Sequence, residues 1–97
     1  MTQFDFRKPM HNPRTASRVF GGEAVVISPA ENTVRLLNPV GSRVWELADG
    51  TRTAEAIAIS LTGEFAVELD HARASVAAFL AELEVKGLLA WAGGLDR

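Results

Sequence analysis

Two histidines and scattered carboxylates are the side chains of this sequence that most invite a search for catalysis or metal binding. His11 and His71 are 60 residues apart, and no HxxxH or HExxH spacing pairs two ligands. No serine stands in the strand–turn–helix setting of a nucleophile elbow. Glu82 and Glu84 are two positions apart on a predicted helix, so they do not converge as an acid/base pair. We therefore expect no enzymatic activity, no metal site and no cofactor.

Length and composition indicate one small domain. The chain has 97 residues and no cysteine, which excludes disulfides and thiolate metal sites. The N-terminal segment has no apolar run of signal-peptide length, and no segment approaches the ~20 apolar residues of a membrane span. We expect no membrane association and a cytoplasmic location.

Charge is unevenly distributed along the chain. Residues 1–20 contain four basic and one acidic side chain, whereas residues 41–86 contain four basic and eight acidic ones. Nucleic-acid phosphates require clustered cations, so the second segment is a poor match for nucleic acid. The basic segment is expected to be a solvated, partly disordered arm, with contact to an acidic partner as the alternative.

The first third of the chain predicts an arm followed by a sheet. Residues 1–15 contain two prolines and no sustained periodicity, which favours an extended arm, although the alternation of Phe4 and Phe6 also permits a short strand. Residues 17–37 predict a three-stranded antiparallel meander with a Gly21-Gly22 hairpin and a turn over 29–32. We expect the folded domain to span 16–92, with a frayed end at 93–97.

The stretch from Leu37 to Thr53 predicts the change from strand to helix. Asn38 and Pro39 are typical of the N-cap and first position of a helix, and Asp49-Gly50 is typical of a helix end. These signals predict a first helix over 39–48. Thr53 is the expected N-cap of the next helix.

Two further helices are predicted. The second runs over 54–62 and is ended by Gly63; residues 64–69 are expected to form a loop. The third runs over 71–86 with Asp70 as its cap and Gly87 after its end. Residues 88–91 are left open between a short strand and simple packing.

The third helix carries two apolar stripes. One is expected to face the core and contains Ala72, Val76, Phe79, Leu80 and Leu83. The other contains Ala74, Ala77, Ala78, Ala81 and Val85. Periodicity alone favours alanine as a helix former on a solvated face, and the alternative is the close approach of another backbone.

Taken in order, the segments LNPVGSRVWELADGTRTAEAIA and FLAELEVKGLL resemble the PqqD-like family over roughly residues 16–90. These are small domains of ribosomal-peptide biosynthesis that act as precursor-peptide recognition elements. The matching features are Leu37-Asn38, Gly41, Val44-Trp45, the turn over 49–53, Ile57, Phe79-Leu80, Leu83, Gly87 and Leu88-Leu89.

The resemblance implies a winged-helix-like α+β domain, with a three-stranded antiparallel sheet followed by three helices. It implies a non-catalytic chaperone that binds the leader segment of a precursor peptide as an added strand in a groove against the third helix. On the strand the implied contacts are Thr33, Val34, Arg35 and Leu36. On the helix they are Arg73, Ala77, Leu80, Ala81 and Glu84, with Arg73 and Glu84 reading opposite charges and Leu80 alternatively in the core.

The family role also implies a second partner, commonly a radical-SAM enzyme, as in the biosynthesis of pyrroloquinoline quinone. A homodimer through the open sheet edge is compatible with this role. The alternative function is that of a winged-helix DNA-binding regulator. The charge of the third helix argues against DNA binding. Residues 70–86 contain two cations and three acids, whereas a helix that recognises DNA bases needs basic and amide side chains.

Overall fold

The computed structural model describes residues 7–28 and 33–93, and these form the predicted α+β architecture. The elements are β1 (Arg7–His11), β2 (Ala16–Phe20), β3 (Glu23–Ser28), β4 (Thr33–Leu36), α1 (Pro39–Leu47), α2 (Ala54–Glu64), α3 (Leu69–Val85) and β5 (Leu89–Gly93). Strands β2, β3 and β4 form one antiparallel sheet in that order, and β1 pairs with β5 in a second sheet. The predicted turn over 29–32 lies outside the described residues.

The three-stranded sheet begins with the predicted hairpin. Gly21 and Gly22 have φ angles of 58° and 84°, the left-handed pair that a two-residue type I′ turn requires. The register places Val34 opposite Ile27 and Leu36 opposite Val25, so these four side chains share one face of the sheet.

The change from strand to helix occurs where the sequence predicted it. The Asn38 side chain accepts a hydrogen bond from the Gly41 N–H at 2.7 Å, and Pro39 is the first residue of α1. The buried Ser42 hydroxyl accepts from the Ala24 N–H at 2.6 Å and donates to the Leu37 carbonyl at 3.1 Å. One hydroxyl therefore ties α1 to both β3 and the end of the β4 segment.

The turn after α1 is also confirmed, whereas α2 is longer than predicted. Gly50 has a φ of 88°, and the Thr51 hydroxyl donates to Asp49, which holds the pKa of that carboxyl below its ordinary value. Thr53 caps α2 by accepting from the Ala56 N–H. The helix runs through Gly63 to Glu64, so the predicted end at residue 62 is wrong. A glycine inside a helix costs only about 1 kcal/mol relative to alanine, which is too little to end α2 at this position.

Helix α3 begins two residues earlier than predicted and ends one residue before the predicted end. It starts at Leu69 after Glu68, so Asp70 lies in the first turn and is not the cap. At the other end Gly87 has a φ of 75°, and the Leu88 N–H donates to the Leu83 carbonyl at 2.9 Å. This bond and that from Gly87 to Glu84 complete a Schellman motif.

Residues 7–11 pack as a strand of the fold instead of a solvated arm. Pro9 is fully buried opposite Trp91 of β5, and its carbonyl accepts from the Gly50 N–H at 2.9 Å. The His11 ring stacks on Trp45 with 3.8 Å between ring centroids. Of residues 88–91, Leu88 precedes β5 and the other three belong to it, so the first of the two alternatives holds for residues 89–91. Phe4 and Phe6 lie outside the described residues.

The core lies between the three-stranded sheet and the helices. Its buried members include Ala24, Val26, Val44, Trp45, Ile57, Leu61, Val76, Leu80, Leu83 and Leu88. Phe65 and Val67 of the α2–α3 loop pack against this cluster. Within residues 7–28 and 33–93, no helix has the length and apolarity that crossing a membrane would need.

Candidate functional site

The outer edge of β4 is open in the described part of the chain. β3 pairs with one side of β4, and no described strand pairs with the other. The Leu37 N–H donates to the Ala24 carbonyl at 2.8 Å, so Leu37 and Arg35 direct their backbone groups toward β3. Because backbone direction alternates along a strand, the N–H and C=O groups of Val34 and Leu36 point away from the sheet. This edge offers two donors and two acceptors to another strand.

The side chains beside this edge are apolar and exposed. Val34 and Leu36 are 69% and 68% exposed, and Phe20 and Ile27, on the same face of the sheet, are 61% and 42% exposed. Four large apolar side chains on one face form a patch of the kind that marks interaction surfaces. The open edge is therefore flanked by apolar surface.

A groove separates the end of the β4 segment from α3. Its volume is about 380 Å³, and it is lined by Leu36, Leu37, Asn38, Val40, Gly41, Val44, Leu61, Ser75, Phe79 and Glu82. A side chain at Gly41 would come within 3.4 Å of the Phe79 ring and 3.1 Å of Asn38, so glycine permits this close packing. The groove lies directly beside the unpaired backbone groups of Leu36.

A second hollow of about 260 Å³ extends the groove toward the start of α3. The two share Val40, Leu61 and Ser75, and the second adds Phe65, Ala66, Val67, His71 and Ala72. On α3 the floor of this channel is formed by Ser75, Phe79 and Glu82, about 10 Å from first to last at the rise of an α-helix. The channel is therefore long enough for several residues of an extended chain.

Ion pairs join β4 to α3 at one end of the channel. Arg35 Nη2 lies 3.1 Å from Glu82 Oε2, and Lys86 Nζ lies 3.8 Å from the same oxygen. The Nε atom of Arg35 is buried and has no hydrogen-bond partner among the described residues. The side chain of Arg35 thus has donor capacity that no described residue uses.

The helix residues named from the sequence lie elsewhere. Ala77, Ala81 and Glu84 line a different hollow together with Arg7, Ala54, Leu80 and Trp91. By helical spacing this face lies across the core stripe of α3 from Ser75, Phe79 and Glu82. Of the predicted set, the structure therefore places Thr33–Leu36 at the open edge and these helix residues away from it.

The remaining predicted helix residues have structural partners. Leu80 is 2% exposed and belongs to the core, the alternative that the sequence left open. Arg73 binds Glu55 at 2.8 Å and Asp70 at 3.1 Å, and the hydrogen bond with Glu55 raises the pKa of Arg73. Glu84 accepts a hydrogen bond from the Trp91 ring N–H.

Sequence reasoning did not name Ser75 and Glu82. It assigned Phe79 to the core, and the half-buried ring both packs against the core cluster and lines the groove. Their positions, i, i+4 and i+7, form a third helical stripe that could have been read from the sequence. Its mixed polarity concealed it, because only one of the three side chains is apolar.

Comparison with known proteins identifies the family. The family model "Coenzyme PQQ synthesis protein D (PqqD)" matches residues 23–89, which is most of the chain. This chain belongs to the PqqD family. The resemblance stated from the sequence is thereby confirmed. No curated protein matches this PqqD-family chain.

Two solved structures have the same fold. One, described as "TbiB1 in Complex with the TbiA(beta) Leader Peptide", is 26% identical with a TM-score of 0.77, and the match covers 90% of this chain and 99% of that one. The other, "Lasso peptide synthetase B1 complexed with the leader peptide", is 18% identical with a TM-score of 0.76, covering 86% and 98%. Both neighbours are complexes with leader peptides.

The described residues present no metal site. No group of three or more His, Cys, Asp or Glu side chains among residues 7–28 and 33–93 is placed to hold an ion.

Proposed function

We propose that this protein binds the leader segment of a ribosomally made precursor peptide, which adds as a strand to the open edge of β4. The observation that carries the proposal is the outward direction of the Val34 and Leu36 backbone groups beside an apolar groove. Strand addition uses such backbone groups for affinity and such a groove for selectivity. The proposal is supported by membership of the PqqD family and by two similar structures that were solved in complex with leader peptides.

We further propose that the leader lies over the Ser75–Phe79–Glu82 face of α3. This face borders the groove that begins at Leu36, whereas the Ala77 and Ala81 face lies across the core stripe. The strand contacts predicted from the sequence are retained in this proposal, and the helix contacts are reassigned.

The protein's role in this proposal is to bind and present, without catalysis. The bound leader holds the rest of the precursor near a modifying enzyme in the cytoplasm, where ribosomal peptides are made. A radical-SAM enzyme is the proposed partner from the family role. The neighbour named as a lasso peptide synthetase component makes another peptide-modifying system the alternative.

DNA binding is less well supported. Both cations predicted for the reading helix are engaged, Arg73 with Glu55 and Asp70, and Lys86 with Glu82. A helix that reads bases needs such side chains directed at the groove of DNA.

Self-association through β4 is part of the proposal, because an open edge also accepts the same edge of a second copy. A leader peptide would compete for those backbone groups, so it should convert any such dimer to a monomeric complex. Size-exclusion chromatography with and without peptide measures this.

The direct test is titration calorimetry with a synthetic leader from the precursor encoded beside this gene. We expect a dissociation constant on the order of micromolar, because a short strand loses conformational entropy on binding. Ser75→Arg should abolish binding by filling the channel. The matched variant Ala77→Arg, on the other face of the same helix, should retain it.

The reverse result, with binding lost in A77R and kept in S75R, would place the leader on the alanine face of α3. Absence of binding by the unmodified protein would refute the proposed function. Thermal melting of both variants checks that neither result comes from unfolding.

A further inference from the structure

The ion-pair cluster at the end of the groove has more positive than negative charge. Arg35 and Lys86 share the single carboxylate of Glu82, and in the described part of the chain neither forms an ion pair with another acid. The side chains of all three are partly exposed, with fractions of 35%, 31% and 50% for Arg35, Lys86 and Glu82. This end of the groove therefore attracts an anionic group.

Arg35 also has hydrogen-bonding capacity that remains unused. A guanidinium carries five N–H donors in a planar fork, and here Nη2 donates to Glu82. The Nε atom is buried and has no acceptor among residues 7–28 and 33–93. A carboxylate is the group that matches this fork, because it can accept two parallel N–H bonds.

The register of β4 fixes where such a carboxylate would come from. Arg35 directs its own backbone groups toward β3, where it lies opposite Val26. In a strand added antiparallel to β4, the residue opposite Arg35 therefore occupies a non-hydrogen-bonded position. Side chains at such positions lie closest together and on the same face of the sheet. Its side chain would be directed, like that of Arg35, toward Glu82 on α3.

We propose that the leader carries an Asp or Glu at the position opposite Arg35, and that Arg35 selects it. The carboxylate accepts hydrogen bonds from the partly exposed Arg35 guanidinium, while Lys86 keeps Glu82 neutralised. This inference rests on the proposed function and adds to it the chemical class of one leader side chain. Arg35 thus acts in specificity, whereas Val34 and Leu36 provide backbone pairing that does not depend on leader sequence.

The first test replaces each Asp and Glu of the neighbouring precursor's leader with Asn or Gln, one at a time. One replacement should weaken binding about tenfold, the effect of losing a charged hydrogen bond. In Arg35→Gln, the unmodified leader should lose its advantage over the peptide that carries this replacement. At high salt the difference should shrink, because partly exposed charges are screened.

The second test reverses the sign of all three charges in the cluster, so that the ion pairs of residue 82 with residues 35 and 86 can still form. In the triple variant R35E/E82R/K86E, two acids share one cation, and the leader acid meets a like charge. Binding of the unmodified leader should fall at least tenfold, and a leader with Lys at the selected position should restore it. Arg73→Glu, on the far face of α3, is the matched charge reversal and should leave both affinities unchanged.

The outcomes separate the inference from the proposed function. If the unmodified leader binds but no acidic replacement changes its affinity, Arg35 does not select an acid and this inference fails alone. The inference also fails if the Lys-containing leader does not recover binding to a triple variant that melts like the wild type. If the unmodified leader does not bind the wild type, the proposed function itself fails.

Discussion

Proline substitution on β4 tests strand addition at the level of single hydrogen bonds. The Val34 and Leu36 N–H groups point away from the sheet, so replacing either with proline removes a donor that the folded monomer does not use within the sheet. Proline is tolerated at edge positions whose N–H faces solvent. A bound leader, in contrast, loses one backbone hydrogen bond for each substitution.

The magnitude follows from the number of bonds. A net contribution of about 1 kcal/mol for each hydrogen bond predicts about fivefold weaker binding for Val34→Pro and about thirtyfold for the double variant with Leu36→Pro. Val34→Pro is the cleaner single change, because the Val34 side chain is 69% exposed and does not line the groove. Calorimetric titration with the leader measures the affinities, and thermal melting measures stability.

Two controls locate the effect. Arg35→Pro removes a donor that faces β3, so it should lower the melting temperature by about 4–8 °C for each kcal/mol lost, whatever happens to binding. Val19→Pro removes an outward donor on the opposite edge of the sheet, on β2, and should leave affinity unchanged. Wild-type affinity in the V34P/L36P double variant would refute addition at β4, and a loss confined to V19P would move the leader to β2.

Three further predictions concern stability. Gly87→Ala should lower the melting temperature by several degrees, since the φ of 75° costs an L-residue about 1–2 kcal/mol. Gly63→Ala, inside α2, should raise the melting temperature, because alanine favours the helix more than glycine does. Changes of the same sign in the two variants would contradict this reasoning. Ser42→Ala should destabilise by about 2–4 kcal/mol in urea unfolding, because it leaves two buried backbone groups unpaired, and a neutral result would show that they find other partners. Asp49→Asn should lower stability at pH 7 but not at low pH. A carboxyl whose pKa is lowered by folding stabilises the protein at pH values above the ordinary aspartate pKa of about 3.9, and this contribution disappears as the pH falls through the folded-state pKa. Melting curves of both proteins from pH 7 to pH 2.5 measure this, and a constant difference would contradict it.

The features predicted correctly from the sequence depend on local chemistry. Asn38, Thr53 and Gly87 each act within a few residues of their own position, as two side-chain caps and a left-handed helix end. The hairpin at Gly21-Gly22 is of the same kind. For such features the neighbouring sequence contains nearly all of the determining interactions.

The largest feature that was missed, the pairing of β1 with β5, depends on a distant partner. Pro9 becomes buried only because Trp91, 82 positions later, pairs with it. Nothing in the composition of residues 7–11 indicates that partner, and the two prolines argue for an arm. Long-range strand pairing of this kind is not encoded in local periodicity.

The candidate site was predicted in part for the same reason. Side-chain alternation along β4 leaves only two faces to choose from, so the faces of Val34 and Leu36 follow from their spacing alone. A helix can present any of its faces to a neighbouring element, and the orientation of α3 about its axis depends on which of its residues are buried in the core. The burial of Val76, Leu80 and Leu83 turns Phe79 toward β4 and Ala77 away from it.

The pairing of β1 with β5 brings the two ends of the described chain together. Arg7 lies opposite Gly93, and Arg7 and Trp91 line the hollow on the Ala77 side of α3, across that helix from the groove. A connection made at Arg7 or Gly93 would therefore start on the side of α3 away from the groove, with the β4 edge still accessible. The same arrangement allows the domain to be spliced into a surface loop of a larger enzyme, because both connections would leave from one point. Tethering in either manner would raise the local concentration of a bound peptide at that enzyme without requiring any contact between the two folded bodies.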